Sequence, residues 1–349
     1  MQSGVSWPQM ILVCYGTRPE IIKLSPVIDE LKKQNLRFKI VFTGQHKDMY
    51  EQFKHTLPTP DYWLDVMRSK SSLGDTIGSI MLKLDAILSK GETKLMVVQG
   101  DSSSSFACAL SAYNNKVAIG HVEAGLRTHN LMSPFPEEGY RQMITRISTL
   151  HWAPTQKAMD NLKAEGIHHA RLTGNTIIDA CATTNFDITY GNKVLVSLNR
   201  RENFGDRMKK LFTEIEELAN MHPELEFIFP MTHNPNIKSH KYIFRKVKVI
   251  ESLDYQDMLK LISEARFVIS DSGGLQEECA AFRKKMLVCR ENTERPEGLE
   301  VGIGRLVNTD ILKHYRWAYD HPEWTGINPF GNGMARIAIV EHIKEFLSL

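Results

Sequence analysis

Cysteine is scarce in this 349-residue chain, and its spacing pairs with nothing. The five residues, Cys14, Cys108, Cys181, Cys279 and Cys289, are odd in number and contain no Cys-x-x-Cys pair. Cys14 and Cys289 fall in strand-like apolar runs, Cys108 and Cys279 in helix-like ones. That is the usage of reduced, buried thiols rather than of a disulfide framework. The sequence lacks an HExxH motif and any Cys/His cluster, so no zinc or other metal site is expected. No apolar run approaches the roughly 18–20 residues that span a bilayer. Met1–Met10 has neither the basic start nor the apolar stretch of a signal peptide, and a cytoplasmic protein without membrane contact is expected. Charge of one sign is missing too. Lys and Arg number 43 against 41 Asp and Glu, a formal net charge of +2. No excess is left to neutralise a nucleic-acid backbone, which excludes a dedicated nucleic-acid binder. Small anionic ligands need only a local cluster of donors and stay open. Repeats and low-complexity tracts are absent.

What is there is an alternation of strand-like and helix-like segments, in a chain long enough for two domains. Met10–Tyr15, Phe38–Thr43, Leu95–Gln99 and Val117–Val122 read as strands. A helix runs from Pro19 to about Lys33, and Leu73–Leu88 has helical apolar spacing. Short strands are expected at His151–Pro154 and Arg171–Thr173. The pattern restarts at Val194–Leu198, with a helix over Asp206–Met221 and strands at Glu226–Phe229, Val247–Glu251, Phe267–Ser270 and Met286–Cys289. Near-continuous apolar strands separated by helices predict parallel sheets covered on both faces. Thr184–Asn192 is polar, aperiodic and reads as the linker. Ala335–Leu349 reads as an amphipathic helix. The expected fold is α/β, two Rossmann-like domains flanking a central cleft. The first spans 1–184 and the second spans 185–334, followed by the helix 335–349.

In such sheets ligands bind beyond the carboxyl ends of the strands, and the informative residues concentrate there. Gly16-Thr17-Arg18-Pro19-Glu20 follows the first strand. It reads either as an anion site at a helix N-terminus, with Arg18 as donor, or as a plain strand–helix turn. Asp271-Ser272-Gly273-Gly274 follows a later strand. It reads as a backbone cradle for a nucleotide diphosphate with Glu278 on the ribose, or as a Gly-rich turn with a capping acid. Asp101, Glu123 and Glu137 lie past strands or before a helix in the first half, poised for acid–base work or for caps and ion pairs. Arg127, Arg141, Arg200, Arg201, Arg283, Arg290 and Arg295 supply the basic complement. Arg295 either holds phosphate or orients the Glu278 loop.

These segments, GTRPE at 16–20, GQH at 44–46, QGD at 99–101, HVEAGLR at 121–127, SPFPEE at 133–138, TGNTIIDA at 173–180, RREN at 200–203, SDSGGLQEE at 270–278 and TERPEG at 293–298, resemble the non-hydrolysing UDP-N-acetylglucosamine 2-epimerases, collinearly over nearly the whole chain. The resemblance implies a GT-B fold with helix 335–349 packed back on the first domain, a homodimer and a UDP-sugar substrate. It also implies interconversion of UDP-GlcNAc and UDP-ManNAc through elimination and re-addition of UDP, with no cofactor. It implies acid–base roles for Asp101, Glu123 and Glu137, individually unassigned. Arg18, Lys23, Ser272, Gly273, Gly274, Glu278 and Arg295 would contact substrate, and Leu253 and Met258 would line the uridine pocket. Two positions depart from the family pattern. Asn199 stands where the family has a His before Arg-Arg-Glu, and amide chemistry carries neither charge nor a transferable proton. Thr232 stands where some members have a His that contributes to a second, activating UDP-GlcNAc site, and His233 follows. Asn199 opens three alternatives: slower epimerisation, a 6-deoxy UDP-HexNAc substrate such as UDP-N-acetyl-L-rhamnosamine, or a non-catalytic UDP-sugar binder. A GT-B glycosyltransferase shares the fold and the nucleotide site.

Overall fold

The computed structural model describes residues 9–45, 50, 59–66, 71–232 and 234–348. His46 of the GQH segment and His233 lie outside the described residues. The chain forms two compact units, one of Met1–Ala180 with Gly331–Leu349, the other of Cys181–Phe330.

The first unit is built on seven parallel strands: β1 (Met10–Tyr15), β2 (Phe38–Phe42), β3 (Tyr62–Trp63), β4 (Thr93–Gln99), β5 (Ala118–Val122), β6 (Leu150–Ala153) and β7 (Arg171–Leu172). Their order is β3-β2-β1-β4-β5-β6-β7. Successive side chains of a strand point to opposite faces, so a strand covered on both sides must be apolar throughout. In β1, Ile11, Val13 and Tyr15 meet Ile21, Leu24 and Ile28 of helix α1 (Arg18–Lys33), together with Ile339 and Ile343 of the C-terminal helix (Ala335–Phe346). Leu12 and Cys14 face the other way, onto Ile80 and Leu84 of α2 (Leu73–Leu88), Ala107 and Cys108 of α3 (Ser103–Asn114), and Ile144 of α4 (Glu137–Ile147). The remaining helices used below are α5 (Gln156–Ala164) and α6 (Thr176–Ala182).

The second unit repeats the plan with β8 (Lys193–Ser197), β9 (Glu226–Met231), β10 (Lys248–Glu251), β11 (Ala265–Ser270), β12 (Met286–Val288) and β13 (Gly304–Leu306), in the order β10-β9-β8-β11-β12-β13. Its helices include α7 (Asp206–Met221), α8 (Tyr255–Glu264) and α9 (Gly273–Ala281). Strand β10 pairs with β9 alone, and its end residues Lys248 and Glu251 are exposed. It is an edge strand rather than the apolar buried one its Val-Ile pair predicted. Segment 184–192 holds no helix or strand. It is tied to the second unit by Thr189 N–H donating to the Ser263 carbonyl at 2.9 Å, and by Lys284 Nζ donating to the Thr189 carbonyl.

All five cysteines are buried and free. Among the described residues no helix is long and apolar enough to cross a membrane.

The strand order reverses between β1 and β4 in one sheet and between β8 and β11 in the other. Such a switch point opens a crevice at the carboxyl edge, because helices on either side of it diverge. The C-terminal helix is fixed at its start by Asp179, which is fully buried in α6. Its carboxylate accepts from Ala335 N and Arg336 N at 3.1 Å each, and from Arg336 Nη1 at 3.0 Å. Asp179→Ala removes an N-terminal cap and leaves the buried Ala335 amide without this acceptor. It is expected to lower unfolding free energy by about 1–3 kcal/mol, read by urea denaturation. A parental urea midpoint would refute this anchoring role.

Candidate functional site

The first switch point begins at Gly16. A Cβ there would stand 2.0 Å from Thr43 Oγ1 and 2.1 Å from Ser104 Oγ, so only glycine lets β1 turn into α1 beneath those hydroxyls. The amides of Gly16 and Thr17 donate to Glu20 Oε2 at 2.6 and 3.1 Å. Glu20 is buried, which pushes its carboxyl above the ordinary range. This corrects the anion-site reading of the turn: Glu20 occupies the amides an anion would have used. Arg18, the first residue of α1, is half-buried, and Lys23 one turn on is buried.

Glu123 follows β5 with φ +67°, a left-handed conformation uncommon for a residue with a side chain. Its carboxylate is almost fully buried. It accepts from Lys23 Nζ at 2.5 Å, from Asn175 Nδ2 at 3.3 Å and from Gln99 Nε2. Asp101 leaves the adjacent strand β4, which pairs Gln99 with Val122. It accepts from Arg141 Nη2. Arg141, inside α4, also faces Glu138 Oε2 at 3.4 Å. Glu137 begins α4, half-buried, next to Glu138. Arg141 thereby ties the start of α4 to the end of β4, and the three acidic positions share one edge of the sheet. Arg127 is not free for a ligand. Its guanidinium holds Glu165 at 2.6 and 2.9 Å, together with Thr145 Oγ1 and its neighbour's carbonyl, and this lowers the Glu165 carboxyl.

The second unit presents an arginine-rich edge. Ser272 caps α9, and its amide donates to Ser270 Oγ at 3.0 Å. An alanine Cβ at Gly273 would lie 2.6 Å from Arg295 Nη1 and 2.9 Å from Glu294 Oε1, whereas Gly274 has open space around it. Arg295 donates from Nε to Glu277 Oε1 at 2.6 Å and from Nη1 to Glu294. Its guanidinium therefore orients the α9 turn. Glu294 also meets the fully buried Arg290 at 3.0 Å and Arg200 at 3.8 Å. Glu278, one turn into α9, is buried. Burial and the nearby Glu278 carboxylate push the Tyr255 hydroxyl well above its ordinary value, which places the start of α8 beside Glu278. Leu253 and Met258, both half-buried, flank Tyr255 in sequence.

Asn199 is exposed just past β8, and its Oδ1 accepts from Thr232 Oγ1 at 3.3 Å. Asn199 and Thr232 are thus hydrogen-bonded to each other across the ends of β8 and β9. The Asn199 backbone is held from below by Asp271. That buried carboxylate accepts from Asn199 N at 3.0 Å, Arg200 N at 3.0 Å and Asn203 Nδ2 at 2.9 Å. Gln99, Asn175, Asp271 and Glu294 were not singled out from sequence. Asn175, directly before α6 in the TGN segment, carried a helix-cap signal, and the others none. Among the described residues no group of three or more His, Cys, Asp and Glu is placed to hold a metal ion.

Two doubly wound units, one carrying carboxylates at its switch point and the other a glycine turn packed on Arg295, define an α/β protein with charged groups at the carboxyl edge of each sheet. Comparison with known proteins makes this specific. The UDP-N-acetylglucosamine 2-epimerase family model matches residues 29–344. The UDP-N-acetylglucosamine 2-epimerase of Salmonella borreze is 36% identical over 97% of this chain and 98% of its own length. That of Bacillus subtilis is 36% identical over 95% and 94%. The crystal structure of the Neisseria meningitidis UDP-GlcNAc 2-epimerase bound to UDP-GlcNAc superimposes with a TM-score of 0.88 at 33% identity, covering 97% of this chain and all of that one. The chain belongs to the UDP-N-acetylglucosamine 2-epimerase family, and its two parallel-sheet units are those of the GT-B-like fold.

His121, one residue before Val122 on β5, donates from Nε2 to the Gly100 carbonyl at 2.8 Å, and its Nδ1 meets no partner among the described residues. A proton on Nδ1 would be buried and unsatisfied, so burial pulls the pKa down to about 3. Between the ordinary histidine value and that one, the unfolded chain binds a proton that the native chain does not, and stability falls as pH falls. Urea unfolding is expected to show this component as about 1 kcal/mol lost from pH 7 to 5.5. His121→Gln should lack it, and an unchanged pH slope in that variant would exclude His121 as the source.

Proposed function

We propose that the protein catalyses reversible C2 epimerisation of UDP-N-acetylglucosamine to UDP-N-acetylmannosamine. The observation that carries this reading is the first-unit switch point, where Asp101, Glu123 and Glu137 share one edge and Glu123 is held by Lys23, in a chain of this family. The C2 proton is not acidic enough for simple deprotonation. Elimination solves this: a carboxylate takes the C2 proton as the C1–O bond breaks, leaving 2-acetamidoglucal and UDP. UDP then adds back to C1 while a proton reaches the opposite face of C2. No redox step occurs. Catalysis depends on positioned charge and on keeping UDP in place.

In this reading 1–184 with 335–349 supplies the sugar-side groups, and 185–334 supplies the UDP-side groups. Asp101, Glu123 and Glu137 carry the acid–base work. Arg18 and Lys23 contact substrate. Ser272, Gly273 and Gly274 cradle the diphosphate, with Arg295 fixing their turn, and Glu278 accepts from the ribose hydroxyls. Leu253 and Met258 border the uracil. Asn199 replaces an imidazole with an amide held by Thr232, so this edge contributes a hydrogen bond and no titrating group. A cytoplasmic homodimer belongs to the same reading. Leu82, Tyr113 and Met143 support it, being exposed on α2, α3 and α4, helices that share one face of the sheet.

Incubating UDP-GlcNAc with the enzyme in D2O is expected to give the C2 epimer with deuterium at C2 by NMR. Neither exchange nor epimer, with UDP-GlcNAc or a UDP-6-deoxy-HexNAc, would overturn the reading. Glu123→Gln should slow C2 exchange at least about 100-fold. In the same assay Asn199→His is expected to alter turnover without changing the thermal midpoint, and sedimentation velocity should show a dimer.

A further inference from the structure

We propose that Gln99 and Asn175 are positioning residues that hold Glu123 as an ionised carboxylate in one orientation. The proposal rests on the epimerase reading for its catalytic meaning. Its geometry stands independently within the first unit.

Asn175 is locked by a bond on its other side. Its Oδ1 accepts from Ile177 N at 3.1 Å at the start of α6. That fixes which end of the amide is which, so the Nδ2 donor is the end presented to Glu123 Oε1, at 3.3 Å. Gln99 is locked through its backbone. It is the last residue of β4, in register with Val122, and its carbonyl accepts from Ser105 Oγ at 2.5 Å. From there its Nε2 donates to Glu123 Oε2. Each carboxylate oxygen thus has an amide donor from a different element. Oε1 has Lys23 Nζ as well, at 2.5 Å. The charged group paired with it is Lys23 from α1, while Arg127 is engaged by Glu165 and Asp101 by Arg141. His121, on the strand that leads into Glu123, is neutral.

The division of labour follows from chemistry. A lysine stabilises the carboxylate by charge but pivots on a long stem. An amide donor adds direction, and it cannot accept a proton in return. A carboxyl group that protonates must turn a hydroxyl towards something. Here two of its close neighbours are amide N–H donors, so protonation breaks at least one bond. The left-handed backbone at Glu123, φ +67°, sets the side chain down between them.

The experiment uses isosteric changes that keep each element's structural bonds. Asn175→Asp retains the acceptor for Ile177 N and turns the donor into a second carboxylate facing Glu123. It is expected to move the acidic limb of the kcat/KM profile up by about one pH unit. At pH 7 kcat should fall about tenfold or more and KM should change less than about threefold, while the second buried carboxylate beside Glu123 lowers the thermal midpoint. Gln99→Met, which removes the other donor without adding charge, should shift the limb the same way by less. A second readout does not need turnover. The Glu123 carboxylate is titrated by 13C NMR of glutamate-labelled protein and assigned by its loss in Glu123→Gln. Its titration should move upward in both variants. A Glu123 titration and pH profile unchanged in both variants would overturn the proposal. A parent enzyme without C2 exchange would instead overturn the epimerase reading, while the NMR titration still decides whether the two amides hold Glu123.

Discussion

A carboxylate taken out of water must be met by donors, and in this protein that constraint is repeated at nearly every functional turn. Leaving a buried charge unpaired costs several kcal/mol, a large part of a domain's whole stability. Glu20 therefore gathers the amides of Gly16 and Thr17, Asp271 those of Asn199 and Arg200, and Asp179 those that open the C-terminal helix. Glu138 accepts from Thr128 N at 3.0 Å and His129 N at 3.2 Å, drawing the loop before α4 onto the helix. Glu294 does the same with guanidinium groups. Each acid turns a loose strand-end loop into a fixed one. Glu123 differs in that Lys23, Gln99 and Asn175 reach it as side chains from other elements.

The sheet order explains why these acids collect where they do. With β1 flanked by β2 and β4, and β8 by β9 and β11, both units reverse direction at the strand whose end carries a glycine turn or its counterpart. A crevice there costs no core packing, because the apolar runs end before it: Tyr15, Val122, Ser197 and Ser270 are the last strand residues. Near-neutral net charge then has a local structure. At each edge the charges are paired locally, Glu123 with Lys23 and Asp101 with Arg141 in the first unit, Arg295 with Glu277 and Glu294 in the second.

Much of this was legible in the sequence, for a physical reason. Strands buried on both faces must be continuously apolar, so β1, β4, β5, β8 and β11 announced themselves, and Asp206–Met221 reads directly from its period. β3 and β13, two and three residues long, carry no periodic signal, and β10 misleads because an edge strand can keep Val249 and Ile250 while exposing its ends. Within each unit, position past a strand end was readable for Asp101 and Glu123 in the first and for Ser272 in the second. Partnership was not. That Glu20 closes the Gly16 turn, that Arg127 is committed to Glu165, or that Asn175 reaches Glu123 across 52 residues depends on which elements the fold brings side by side.

The pedestal formed by Asp271 has a consequence of its own. It grips the loop after β8 through two main-chain amides and Asn203, and asks nothing of the side chain at 199. Whatever residue stands there inherits the same address on the sheet edge. A substitution at 199 can therefore change what this corner presents without loosening the loop's grip on the scaffold.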